Sequence, residues 1–384
     1  MSSPGDLYLN QTKKGESRWW SWIMVIWFVI IGWLIAQVVF ISPIGQIAQT
    51  TDPETAQTLN EASSELLGDP EAIRIMLVYG AAFLLSILLG VIGWIFTRFT
   101  QSTVQKVFGV ITGLCVAGSF YSLYRMAPYA SDSESNAAMG DLMGSTPVIY
   151  ALFLLVFPAT CLALYGAYMH VHKRTVTSLH TAYDKINWRR GIQAFLITWA
   201  VLGSLTAIIH FTGISPIRGN FQPSTFFTYA LISLLIIPLQ SGTEEIIFRG
   251  YLNQAFFHLF RNKWIVFTIT SALFASVHLA NPEALKGAEQ GVLPLTMSSY
   301  FFFGFVACLL VWMDGGLESA IGFHAANNTF AAVFVNYEGS VLPTPSLFMV
   351  QPDTYIDIAV TLAALAIIGF LLYRTRSLAL PSSA

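Results

Sequence analysis

About ten apolar runs of roughly 17 to 25 residues follow one another along this chain, each long enough to cross a ~30 Å hydrocarbon core as a helix. A chain of such runs must satisfy its backbone hydrogen bonds within each segment, so the fold open to it is an all-α, polytopic transmembrane bundle. The spans are expected near 20–40, 75–96, 107–124, 147–169, 191–211, 225–259, 264–280, 294–313, 319–335 and 356–373. Charge agrees with this reading. Only 10% of the 384 residues are charged, against about 25% in a soluble domain, too few to cover a water-facing surface. The net charge of −2 leaves no electrostatic footprint for nucleic acid. Cys115, Cys161 and Cys308 lie inside apolar runs without a CxxC pair, which excludes a disulfide framework and a zinc knuckle.

The first run follows Lys13, Lys14 and Arg18 but is too long for a signal peptide and lacks a small-residue cleavage site, so it reads as an uncleaved first helix. Basic residues beside helix ends stay on the cytoplasmic side. With ten spans and both termini inside, fourteen of the 19 Lys and Arg residues fall in cytoplasmic segments and four in outer ones. The inverse topology fits worse. An integral multi-pass protein of a bacterial cell membrane is the expectation. The acidic stretch 41–74 is expected to form a short extramembrane helix, and no internal repeats stand out. The basic loop His170–Arg190 is the natural divider between a four-helix region, 1–185, and a six-helix core, 186–376, whose motifs occupy 225–335.

Ionisable residues are costly in lipid, so those inside apolar runs point to function. His210 and His258 lie near span ends and read as interfacial histidines. Three clusters remain. In Glu244-Glu245-Ile-Ile-Phe-Arg249, a helix puts Glu245 and Arg249 on one face, where the arginine holds that carboxylate ionised and leaves Glu244 free for another neighbour. Two adjacent carboxylates in a low-dielectric site separate in protonation, which suits activation of water. A plainer reading also exists. Ser241-Gly-Thr-Glu244 behind Pro238 fits a capping box, so Glu244 would cap a helix start. A cap leaves the Glu245–Arg249 pair unexplained, and the two readings coexist if a helix broken near Pro238 lines a cavity.

The other clusters supply complementary chemistry. Phe274 stands one helical turn before His278, and His324 and Asn328 share one face of their helix. A lone histidine in an apolar helix is usually an interhelical hydrogen bond. Two carboxylates, two imidazoles and an amide on three consecutive stretches match water-mediated hydrolysis instead.

The ordered motifs EExxxR, FxxxH and HxxxN, here Glu244-Glu245-xxx-Arg249, Phe274-xxx-His278 and His324-xxx-Asn328, resemble those of the CPBP family of intramembrane proteases. That family includes the CAAX prenyl endopeptidases called Rce1 and the bacterial Abi proteins, some linked to bacteriocin self-immunity. Gly250, in Phe-Arg-Gly, is also similar to bacterial members. The resemblance implies that Glu244 is the general base for a water held jointly with His278. It implies that His324 and Asn328 stabilise the oxyanion, with Glu245 and Arg249 as a supporting pair and Phe274 packed near His278. It is silent on the N-terminal half.

Two histidines and a glutamate also make up many catalytic zinc sites, so Glu244, His278 and His324 are the alternative metal ligands. The chain lacks HExxH, and the resemblance favours a glutamate mechanism without a cofactor. The expected substrate is a membrane-embedded or lipidated peptide or protein, prenylated CAAX-type chains among them. Two rivals belong to other classes: a non-catalytic immunity or scaffold protein, and a proton-coupled transporter, which should show repeats and paired broken helices. Counting along alternating spans puts His278 toward an outer helix end and His324 toward an inner one. Convergence of all the motifs on one cavity is nevertheless the expectation.

Overall fold

The computed structural model of the chain describes residues 3–99 and 133–379, with single positions between 107 and 122. The span expected at 107–124 therefore lies largely outside the described residues. Helix α1 (Pro4–Leu9) and a 3-10 turn (Asn10–Lys13) precede α2 (Trp19–Ile41), α3 (Ile44–Thr51), α4 (Pro53–Gly68) and α5 (Pro70–Phe99). Then come α6 (Ser133–Ser145), α7 (Pro147–Ala167), a π-helical turn (Tyr168–His172), α8 (Thr177–His180) and α9 (Trp188–Thr212). The C-terminal part holds α10 (Pro223–Glu245), a π-helical segment (Ile246–Leu252), α11 (Asn253–Phe260), α12 (Lys263–Ser276), α13 (Pro282–Glu289), α14 (Leu293–Asp314), α15 (Glu318–Val333) and α16 (Thr354–Ala379).

Among the described residues, six helical stretches are long and apolar enough to cross a membrane. The protein is an integral, multi-pass, all-α bundle. The run expected at 264–280 is shorter than a span, because α12 has 14 residues and rises only ~21 Å at ~1.5 Å per residue. The stretch 41–74 holds α3, α4 and the start of α5 rather than one helix; α3 and α4 are separated at Asp52, whose carboxylate accepts from Thr55 N at 3.1 Å. Three strands too short to register as a pattern, β1 (Ile217–Gly219), β2 (Val335–Tyr337) and β3 (Phe348–Val350), form a small sheet in the order β1-β3-β2. β3 pairs antiparallel with β1 and parallel with β2.

Polarity along α10 is inverted relative to a soluble helix. Phe227, Leu231, Leu235 and Leu239 are exposed, whereas Ser233, Gln240, Ser241, Thr243 and Glu245 are buried. Lipid takes the leucines, and the polar side chains find partners inside the bundle. Helix α15 lies between α9 and α10, α14 packs on α12, α13 and α16, and α7 links α2 to α10. The α9–α15 crossing depends on two glycines: a Cβ at Gly322 would stand 2.1 Å from Gly191 O. Small residues of this kind let membrane helices approach backbone to backbone.

One end of the bundle is tied by arginines. Arg190, only 1% exposed, donates through Nε to Asp314 Oδ2 at 2.7 Å and through Nη2 to Asp314 Oδ1 at 3.2 Å and to Leu372 O at 2.8 Å. This fork joins α9, α14 and α16. Arg174 binds the N-terminal segment, donating to Thr12 O at 2.8 Å, Glu16 O at 3.0 Å, Lys14 O and Ser17 Oγ. Contacts also cross the sequence divide near 185: Tyr251 donates to Trp22 O at 2.8 Å, and the hydroxyls of Tyr150 and Ser233 lie 3.0 Å apart.

Arg190→Lys keeps the charge but cannot span both Asp314 oxygens and the Leu372 carbonyl. The expected cost is about 2 kcal/mol, read as a lowered thermal midpoint in detergent. A midpoint equal to that of the parent would show that the fork does not hold the three helices.

Candidate active site

Helix α10 runs unbroken through Pro238 to Glu245. No helix begins at Ser241, so the capping-box reading of Glu244 does not hold, and neither does a break at Pro238. The irregularity comes about two turns later, where Ile246–Leu252 winds as a π-helix. Such segments are rare and frequent at functional sites.

Within this π segment Arg249 still meets Glu245, Nη1 donating to Oε1 at 3.0 Å with both side chains fully buried. The same Oε1 lies 2.7 Å from His324 Nδ1. An ionised carboxylate only accepts, so Nδ1 carries a proton and the ring is turned with Nε2 toward Glu244. The guanidinium lies 4.1 Å over the Phe274 ring, a cation–π contact that pins it from the other side. Gly304 makes room for it, since a Cβ there would stand 2.9 Å from Arg249 Nη2.

Glu244 is the more open carboxylate, 15% exposed. Its Oε1 accepts from Gln240 Nε2 at 2.5 Å, and its Oε2 lies 3.7 Å from His324 Nε2. That separation exceeds direct bonding, so an oxygen of water or substrate fits alongside both groups. Asn328, one turn beyond His324, donates through Nδ2 to Gln240 Oε1 and Ser241 Oγ, each at 3.3 Å, and its own Oδ1 accepts from Asn327 at 3.1 Å.

His278 follows the end of α12. Its Nδ1 lies 2.7 Å from Phe274 O; a carbonyl only accepts, so Nδ1 bears the proton and Nε2 is left with its lone pair. The ring is stacked 4.5 Å from Tyr300 and lies 4.6 Å from Phe274. Phe274 also stands 5.9 Å from His324, which Phe303 flanks edge-on at 4.9 Å. His278 is within electrostatic range of both Glu244 and His324. All seven residues singled out in the sequence thus surround one interior locus. Helix α12 ends at Ser276, and His278, partly buried, turns onto Phe274 and Tyr300.

A family model described as "Type II CAAX prenyl endopeptidase Rce1-like" matches residues 222–330. Over 253 residues the chain is 30% identical to the "Uncharacterized protein YyaK" of Bacillus subtilis (strain 168), covering 63% of this chain and 81% of the relative. The chain belongs to the Rce1-like family. No solved structure matches it significantly. The matched region coincides with α10 through most of α15, the elements that carry every site residue of this Rce1-like chain.

Two neighbours of the Rce1-like site escaped the sequence reading. Gln240 stands four residues before Glu244, a spacing that was visible, but an uncharged amide in an apolar run carries little signal. Tyr300 left no signal, because its relation to His278 is a stack between separate helices. Its hydroxyl donates to Glu283 Oε2 at 3.3 Å and accepts from Asn281 at 3.1 Å. Burial raises the Glu283 carboxyl above its ordinary value, against the hydrogen bonds that would lower it.

A zinc ion held by Glu244, His278 and His324 would be bound through the two Nε2 atoms, since each Nδ1 is bonded to an oxygen, Glu245 Oε1 for His324 and Phe274 O for His278. Among the described residues no group of three His, Cys, Asp or Glu side chains is arranged to hold a metal.

Proposed function

We propose that this protein is an intramembrane endopeptidase of the CAAX-protease type that hydrolyses peptide bonds with a water activated by Glu244. The observation that carries the reading is the 3.7 Å separation of Glu244 Oε2 and His324 Nε2 within an apolar helical bundle. Glu244 accepts a proton from the water as its oxygen bonds to the scissile carbonyl carbon. The C=O electron pair moves onto oxygen, and that oxyanion is stabilised by Asn328 and by His324, which in this step carries a proton on Nε2 as well as on Nδ1. When the tetrahedral intermediate collapses, the C–N bond breaks and Glu244 returns the proton to the leaving nitrogen. His278, with Nε2 free, holds the water opposite Glu244. Glu245 and Arg249 fix His324, and Phe274 separates the imidazoles.

The substrates are chains presented from the bilayer, membrane-embedded or lipidated, prenylated CAAX-type peptides among them. Residues 186–376 form the catalytic unit in this proposal, braced by the N-terminal helices. The test is cleavage of prenylated and unprenylated membrane-anchored peptides by purified protein in proteoliposomes, before and after exhaustive chelation. Cleavage that survives chelation is expected. Loss restored by zinc alone would transfer the attacking water to a metal and overturn the glutamate reading.

A further inference from the structure

The geometry points to Gln240 as a positioning residue that sets both the orientation of Glu244 and the direction of the Asn328 amide. This inference rests on the peptidase reading of the site. Gln240 is buried, one turn before Glu244 on α10, and its two ends do different work. An ionised Glu244 can only accept, so the Gln240 amide group facing it must be the NH2 end, and it donates to Oε1 at 2.5 Å. The carbonyl end then points away. There it accepts from Ser241 Oγ at 3.0 Å and from Asn328 Nδ2 at 3.3 Å. Asn328 in turn is forced to present its NH2 toward α10, with its own oxygen accepting from Asn327.

One polarity therefore runs from the carboxylate through two amides. Holding Oε1 leaves Oε2 for His324 and the reacting oxygen, so the base is aimed without using either imidazole. The same bonds hold the Asn328 NH2 group toward α10, and one of its two 3.3 Å bonds is given up when it turns to an oxyanion. When Glu244 takes a proton during turnover, its acceptor strength falls and its hold on the Gln240 NH2 weakens. That change travels through the Gln240 carbonyl to Asn328. The titratable groups facing Glu244 from packed elements are His324 on α15, His278 after α12 and Tyr300 on α14, with Glu245 and Arg249 on its own strand of chain. From α7, Cys161 addresses Thr243 instead.

The experiment compares the pH dependence of kcat/KM for the parent, Gln240→Leu and Gln240→Glu in proteoliposomes. Gln240→Leu removes the donor that stabilises the charged carboxylate, so its acid limb should move to higher pH by about one unit. Its kcat should fall about 10- to 100-fold because the base is no longer aimed, with KM changed less than about twofold. Gln240→Glu keeps the shape and sets a second carboxyl against Glu244; the alkaline displacement should be at least as large, which covers the case in which the leucine variant does not fold. Ser233→Ala, on the same helix and bonded to Tyr150, should change stability without moving the limb.

A Gln240→Leu or Gln240→Glu profile that superimposes on the parent overturns the proposal. Infrared titration of the carboxyl band that is absent in Glu244→Ala gives a readout free of turnover. A band displaced by the Gln240 variants in a protein that cleaves no peptide would uphold the positioning role and sink the peptidase reading instead.

Discussion

Glu244→Ala is expected to lower peptide cleavage by at least about 10³-fold, while the protein still inserts, purifies and melts close to the parent. The two halves of that expectation have separate physical grounds. Activity falls because Glu244 stands with Oε2 3.7 Å from His324 Nε2 and, unlike Glu245, forms no ion pair with an arginine among the described residues. The neighbouring Glu245 cannot take over: it is fully buried, and its Oε1 serves both Arg249 and His324. Stability is largely retained because removing Glu244 frees a neutral amide, Gln240, which can turn toward Ser241 and Asn328. The loss should be about 1 kcal/mol, the worth of a hydrogen bond. Comparing new N-termini in membranes carrying the parent or the variant reads activity and substrates at once. A cleavage rate unchanged in the purified variant would leave only the non-enzymatic readings of the family.

The same residues show how far the sequence could be read. Membrane spans are legible because a length of apolar chain is a one-dimensional signal, and α10 and α14 lie where hydropathy puts them. The pairing of Glu245 with Arg249 and of His324 with Asn328 on a shared face follows from helical spacing alone. What spacing could not supply is anything decided by packing between helices. The π segment after Glu245, the early end of α12 and the stack of His278 on Tyr300 all depend on neighbours far away in the chain. Arginines are the clearest case. Arg174 and Arg190 read as loop charges that report topology, yet both are buried and hold helices together. Sequence registers a charge but not whether water surrounds it.

Arg249→Met is expected to fail in a different way from Glu244→Ala, by destabilising the fold as well as abolishing cleavage. The guanidinium is fully buried; its loss leaves the Glu245 carboxylate facing His324 with no permanent counter-charge. Breaking one side of a buried ion pair costs about 3–5 kcal/mol, because the remaining charge has no water to turn to. Methionine also abandons the contact over Phe274 and the position of Nη2 against Gly304. The informative comparison is the double variant Glu245→Leu with Arg249→Met. Replacing both charges by apolar groups of similar volume removes the unpaired charge, so most of the lost stability should return. Cleavage should not return, since His324 Nδ1 then has no acceptor and nothing turns Nε2 toward Glu244. Thermal midpoints in detergent and turnover in proteoliposomes separate the two effects. If the double variant cleaves at the parent rate, Glu245 and Arg249 are packing residues alone and His324 owes its orientation to the surrounding rings. If it stays inactive at restored stability, the pair acts through His324, and the buried charges are there to aim an imidazole.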